Sequence, residues 1–303
     1  SLSPRRDRRK IVRFARDNNM AANPSMTRKV IYDFGSNNGD DIPYYLKKAD
    51  VVVAVEANPT LCEHICQRFS GEIASGKLHM ESCVVTTDDS SDQVYFYIHK
   101  FNHVLSQFPA PTADVHAFEK ILLPSKSVLD IISAHGEPYY IKIDIEHYDQ
   151  AILAALFANN IRPPFISAES HSIEVFSLLV SQGNYRAYKL VDGNSVSTRY
   201  GNCSIRVNGS TELYSFPDHS AGPFGEDVAG DWLNADNFFK LLAYENLGWK
   251  DIHATNIVAP NDELSPRLKP YVVAAIKDEA MTTFRTALPK PVKQLVKRVL
   301  RMH

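Results

Sequence analysis

The sequence predicts an α/β fold built on a mostly parallel, doubly wound sheet, and three observations carry that expectation. From residue 29 onward, short apolar runs of strand length alternate with helical segments. The run 51–55 is apolar throughout, as a strand covered on both faces requires. Glycine, acidic or imidazole residues come directly after the strands, where sheets of this kind bind ligands.

In order along the chain, 9–18 reads as a short basic helix, and Asn23-Pro24-Ser25 separates it from the first strand. Residues 29–34 form that strand, ending at Gly35-Ser36-Asn37-Asn38-Gly39, and 42–48 a helix. After the strand 51–55 comes a helix over 59–69, opened by proline in its first turn. A third strand is expected over 77–85. The polar turn 88–92 precedes 94–98, whose β-formers suggest a hairpin partner. Residues 99–125 read as irregular and 128–134 as helical. Core strands at 139–145 and 165–168 alternate with helices at 149–158 and 173–182. Two closing strands are expected at 185–191 and 203–207, then a loop-rich insertion near 208–235. The organisation expected is a basic segment 1–24, one main domain 25–260, and an extension 261–303.

Composition is that of a globular protein: of 303 residues, 44% are hydrophobic and 22% charged. A net charge of −2 gives no bulk attraction to a polyanion, and nucleic acid is not an expected partner. The charge is uneven, with Arg5, Arg6, Arg8, Arg9, Lys10, Arg13 and Arg16 near the start and Lys290, Lys293, Lys297, Arg298 and Arg301 near the end. No apolar run reaches the roughly 18 residues of a membrane span. The start lacks the apolar core of a secretory signal, and Ser1 in place of Met suggests a trimmed start; a cytoplasmic protein is expected. Cys62, Cys66, Cys83 and Cys203 lack zinc-ribbon spacing and are expected to be reduced thiols. Val292, Leu295, Val296, Val299 and Leu300 recur at helical spacing among the terminal cations. Such a helix packs on the domain or a sister subunit, or touches an anionic membrane peripherally.

The strand ends hold the chemistry. Gly35 and Gly39 allow a tight bend whose N–H groups can face an anion. Their spacing is not the dinucleotide fingerprint, and Asp33 just before them would repel a pyrophosphate and suit an ammonium group. Glu56, about twenty residues on, is placed as an acid that accepts both hydroxyls of a ribose. Strand alternation puts Lys142, Asp144 and Glu146 on one side, either as an ion pair or as a reaction site. With His147, and with Glu169 and His171 at the next tip, they offer a general base or ligands for a divalent metal, the latter from Asp144, Glu169 and His171.

Together these residues resemble the FkbM family of methyltransferases. The family pattern runs D-x-G-x-N-x-G, E-P-N-P, L-D, K-I-D-x-E-G, then an acid and His after the next strand. It stands here as Asp33, Gly35, Asn37 and Gly39; Glu56-Ala57-Asn58-Pro59; Leu129-Asp130; Lys142-Ile143-Asp144-Ile145-Glu146; and Glu169-Ser170-His171. Ala57 replaces a common proline, and His147 replaces the usual glycine, so a side chain projects where the family mostly has none. The blocks 222–227 and 248–254 look like a C-terminal extension of some members.

The resemblance implies a Rossmann-like class I methyltransferase fold using S-adenosylmethionine. Asp33, Gly35, Ser36, Asn37 and Gly39 would surround the methionyl end, and Glu56, with Asn58 beside it, the ribose. Cys83 and Val84 would flank the adenine, and Asp144 would lie near the amine or the methyl. His147 or His171, oriented by Glu146, Asp144 or Glu169, is the expected base. The expected acceptor is a hydroxyl on a small molecule or glycan, such as a sugar or polyketide, with aromatics of 99–125 and 208–235 (Phe101, Phe108, Phe118, Phe216, Phe224) as pocket candidates. A homo-oligomer fits the same reading. The competing readings are a nicotinamide-dependent oxidoreductase and a cofactor-binding module without catalysis.

Overall fold

The computed structural model describes residues 28–263. The basic segment 1–24, with its expected helix, and nearly all of the extension 261–303, with its expected amphipathic helix, lie outside the described residues.

Six elements make the first half: β1 (Val30–Phe34), α1 (Ile42–Lys48), β2 (Val51–Glu56), α2 (Pro59–Arg68), α3 (Ser70–Ala74) and β3 (Leu78–Ser82). Asn58 starts α2 by accepting the Thr60 N–H at 3.1 Å, with Pro59 in the first turn. A small sheet comes next, of β4 (Val84–Thr86), β5 (Gln93–His99) and β6 (Phe118–Ser127), in the order β4-β6-β5. Ser127 then caps α4 (Val128–His135) through the Asp130 N–H. The second half comprises β7 (Pro138–Ile143), α5 (Asp149–Ala158), β8 (Phe165–Ser170), α6 (Ile173–Ser181) and β9 (Ala187–Asp192). The chain continues through α7 (Val196–Tyr200), β10 (Cys203–Val207), β11 (Ser210–Tyr214), α8 (Ala235–Glu245) and β12 (Gly248–Thr255).

The main sheet has seven strands in the order β3-β2-β1-β7-β8-β12-β9. β3, β2, β1, β7 and β8 pair in parallel, and β12 runs antiparallel between β8 and β9. From β1 the chain builds outward through β2 and β3, then returns to build the other way through β7 and β8. The crevice between the tips of β1 and β7 is therefore the switch point where a ligand is expected. Period-two alternation divides the core between the two faces. Val53, Val55, Ile141 and Ile143 pack with α5, α6 and α8, while Val52, Ala54 and Tyr140 pack with Tyr44, Tyr45 and Phe224.

The expected doubly wound, Rossmann-like sheet is present, with three local corrections. The third strand breaks at Cys83, whose N–H turns back to the Glu56 carbonyl at 3.0 Å, so 84–86 leaves for the small sheet. Within and just beyond the stretch expected to be irregular, 118–127 is a strand that pairs antiparallel with β5 over 118–124 and parallel with β4 over 125–127. Residues 203–207 do not close the main sheet: they form a hairpin with β11 across Asn208-Gly209, both in the left-handed region that a two-residue turn requires. The closing strand is β12, in the block expected to be an extension. Phe216 and Phe224 are core residues and do not line the crevice at the switch point; Phe224 stacks on Tyr140 with ring centroids 4.0 Å apart.

Candidate active site

The bend after β1 is held from below. The N–H groups of Gly35 and Ser36 both donate to the Val55 carbonyl, while Ser36 Oγ donates to the Asp33 carbonyl and accepts the Val55 N–H. Gly35 has φ +86°, and a Cβ there would stand 1.8 Å from the Asp144 carbonyl oxygen. Glycine is thus required because the tip of β7 passes against the loop. Asn37 has φ +49°.

An open cleft of about 690 Å³, its mouth included, runs from this bend across the tips of β2 and β7. Gly35, Asn37, Glu56, Cys83, Val84 and Asp144 line it, as expected of cofactor contacts. Asp33, Ser36, Gly39 and Asn58 do not: Ser36 and Asn58 fasten backbone, Gly39 packs against Ile42, Ile65 and Phe69, and Asp33 is buried beneath the loop. The Glu56 carboxylate accepts the N–H groups of Ala57 and Asn58 on Oε1 and that of Asn37 on Oε2. Of about four acceptor positions on a carboxylate, Oε2 keeps one. The structure therefore leaves Glu56 room for one ribose hydroxyl rather than two. Burial pushes its pKa up to about 7 against the downward pull of the three N–H donors. Asn37 Oδ1 is buried without a hydrogen-bond partner.

Of the far wall the sequence reading anticipated only Phe108, among the aromatics of 99–125. Phe96, Val104 and Phe108, from β5 and the loop after it, close over the cleft, and Phe108 meets Tyr148 edge-on at 5.1 Å. The strand partner of β5 lies beyond a long loop, so no local periodicity signalled that this hairpin would fold onto the cleft.

At the tip of β7, Lys142 is 3% exposed and lies 3.1 Å from Asp144 and 3.5 Å from Asp33. Burial raises the Asp144 pKa, but Lys142, a hydrogen bond from the Glu169 carboxyl and His171 together outweigh it and the net shift is downward. The chain then turns sharply: Glu146 and His147 have φ +39° and +65°. The left-handed region disfavours a side chain at each of these positions by about 1–2 kcal/mol.

The turn carries Glu146 back toward the tip of β8. His171 Nε2 lies 2.8 Å from Glu169 Oε2 and 3.5 Å from Glu146 Oε2. The His147 ring stands 4.9 Å from that of His171, its Nε2 4.0 Å from Glu146, and its side chain is 64% exposed. Burial and the neighbouring His171 both lower the His147 pKa. Burial, then Asp144, pushes Glu169 up to about 11, and burial pushes Glu146 up to about 7. Burial, then Asp144, likewise raises Asp251, on β12, to about 8. All four expected catalytic residues (Asp144, Glu146, His147 and His171) therefore meet at two adjacent tips. The expected metal set needs correction: Asp144 is engaged by Lys142, and the three donors that converge within 4.8 Å are Glu146, Glu169 and His171.

No family model and no curated protein matches the chain. Among solved structures, it is similar to the FkbM methyltransferase of Methylobacillus flagellatus KT at 14% identity and a TM-score of 0.36, over 55% of this chain and 40% of that one. It thus spans two-fifths of that protein's length. It is also similar to the C-terminal domain of precorrin-6Y C5,15-methyltransferase from Rhodobacter capsulatus, at 9% identity and a TM-score of 0.33, over 62% and 75% of the two chains. A third is an S-adenosylmethionine-dependent O-methyltransferase from Thermotoga maritima, at 10% identity and a TM-score of 0.31, over 78% and 61%. At such scores these likenesses carry no weight for the site. No helix among the described residues is long and apolar enough to cross a membrane.

Proposed function

We propose that this protein is an S-adenosylmethionine-dependent methyltransferase that acts on a hydroxyl oxygen. The observation that carries this reading is the switch-point cleft, where a spare Glu56 acceptor position and the unpartnered Asn37 Oδ1 stand on one wall and Asp144 on the other. A bent glycine loop joins them. That set of acceptors suits a ligand with a ribose hydroxyl at one end and an ammonium group at the other. Cys83, Val84 and Phe108 give the apolar slot an adenine needs. A nicotinamide dinucleotide fits less well, because the loop lacks the pyrophosphate fingerprint and buried Asp33 lies directly beneath it.

When bound, the sulfonium supplies a methyl group to the acceptor oxygen, the S–C bond breaking as the O–C bond forms. The residues around the tips of β7 and β8 align that oxygen within about 3–3.5 Å of the methyl. His147 takes the hydroxyl proton: it is the exposed imidazole of the cluster, and its lowered pKa leaves it neutral at pH 7. Such a base contributes about 10²–10⁴ in rate. The acceptor class proposed is a sugar, polyketide or related natural product.

Calorimetry with S-adenosylhomocysteine and with NAD tests the reading. Uptake of the first and not the second is expected; uptake of neither, or of NAD alone, refutes it. His147→Ala should lower kcat at least about a hundredfold while leaving S-adenosylhomocysteine affinity intact.

A further inference from the structure

We propose that Glu146, Glu169 and His171 form a binding site for one divalent first-row cation at the end of the cleft. That the ion would serve methyl transfer rests on the function proposed above; that it binds does not.

Three observations lead there. One donor atom from each residue lies within 4.8 Å of the other two. From His171 Nε2 the carboxylate oxygens are 2.8 and 3.5 Å away. Ligands bonded at about 2.0–2.2 Å to a shared ion stand about 3.0 Å apart at octahedral right angles and about 3.4 Å apart in a tetrahedron. The two separations from His171 fall close to these values. Secondly, His171 Nε2 is buried and makes no hydrogen bond, although Glu169 Oε2 is within reach. The distance is met and the alignment is not, so the ring nitrogen is not directed at that oxygen. Thirdly, the site is reached through two consecutive non-glycine residues in the left-handed region, Glu146 and His147. Backbone held in such a conformation needs surroundings that over-determine it. What the turn accomplishes is to bring Glu146 from the tip of β7 to the imidazole at the tip of β8.

One imidazole and two carboxylates leave coordination positions open and suit Mn²⁺, Fe²⁺ or Zn²⁺ better than the all-oxygen preferences of Ca²⁺ or Mg²⁺. Glu146 also lines the cleft, so acceptor oxygens could complete the shell. His147 is not a donor and stays free for the proton.

The test is a Mn²⁺ titration of the full chain monitored by electron paramagnetic resonance. One tight Mn²⁺ per chain is expected, weakened at least tenfold in His171→Ala and in Glu146→Gln. His135→Ala, which alters the other histidine–glutamate pair at Glu81, should bind Mn²⁺ as the unaltered protein does. Absence of uptake, or uptake undiminished by both site variants, overturns the proposal. Should the variants misfold, anomalous scattering from Mn²⁺-soaked crystals of the unaltered protein decides. A peak bonded to all three side chains supports the site, and no peak there refutes it. S-adenosylhomocysteine calorimetry in EDTA keeps the methyltransferase reading separately testable, since that ligand needs no ion to occupy the nucleoside end of the cleft.

Discussion

Replacing Gly35 by alanine tests the claim that the bend after β1 is fixed by contact with β7. The new Cβ would lie 1.8 Å from the Asp144 carbonyl oxygen, where real Cβ atoms stay beyond 3.0 Å, so backbone must move by at least 1.2 Å. The atom struck belongs to main chain and cannot rotate away. The movement strains the Gly35 and Ser36 N–H bonds to Val55 and the Asp144 N–H bond to Phe34. A buried donor left unpaired costs about 1–3 kcal/mol, and φ +86° adds about 1–2 kcal/mol for any residue with a Cβ. Gly35→Ala should therefore lose about 2–5 kcal/mol in urea unfolding and bind S-adenosylhomocysteine at least about tenfold more weakly. Gly76→Ala is the control, because Gly76 has φ +72° but nothing within 4 Å of its Cβ position. It should lose about 1–2 kcal/mol, from backbone strain alone. Equal losses in the two variants would refute the contact argument.

Three further outcomes are expected. Asp41, buried at the start of α1, accepts from Ser220 Oγ and from the Ala221 N–H at 3.1 Å, and burial lifts its pKa to about 6. The folded state then binds the extra proton between about pH 4 and pH 6, so wild-type stability falls as pH rises through that window. Asp41→Asn should remove up to about 3 kcal/mol of this fall, and urea curves at pH 4 and 8 that keep the wild-type difference would contradict it. Phe108→Ala, by opening the slot shared with Tyr148, should weaken S-adenosylhomocysteine binding about three- to tenfold by calorimetry. Unchanged affinity would remove Phe108 from the cofactor wall. His147→Gly should lose turnover yet gain up to about 1 kcal/mol in unfolding free energy, since glycine accepts φ +65°; a loss of stability would show the turn unstrained.

The main sheet was legible because its strands are short, apolar and separated by periodic helices, as 51–55 and 139–145 illustrate. The small sheet was not. β6 carries Glu119, Lys120, Pro124 and Lys126, and its pairing with β5 spans a loop that no local pattern can anticipate. The last closing strand was missed for a related reason: β12 comes more than fifty residues after β9 yet lies between β9 and β8. For the candidate site, position at a strand end was enough to bring out Glu56, Asp144, Glu146, Glu169 and His171 as residues that lie on the cleft or converge beside it. It overreached where a motif residue serves the backbone, as Ser36 and Asn58 do. It also could not tell which carboxylate meets His171, because that depends on the left-handed turn at 146 and 147.

That turn matters to the electrostatics of the whole edge. The carboxyl groups of Asp33, Asp41, Asp144 and Asp251 surround Lys142, with Glu146 and Glu169 just beyond, and the aspartates at 33, 41 and 251 are buried. One ammonium does not neutralise such a group, and burial first, with the neighbouring Asp144 second, lifts Glu169 to about 11 and Asp251 to about 8. Well-packed apolar side chains in these places would cost the fold less. An acid-rich edge is therefore destabilising by itself, and a cation arriving from outside offsets that cost. The two proposed cations would stand side by side, an amino-acid sulfonium beside Asp144 and a metal ion at Glu146 and Glu169, whose carboxyl hydrogen-bonds to Asp144. Each should then raise the melting temperature, because each relieves repulsion that the folded chain alone cannot.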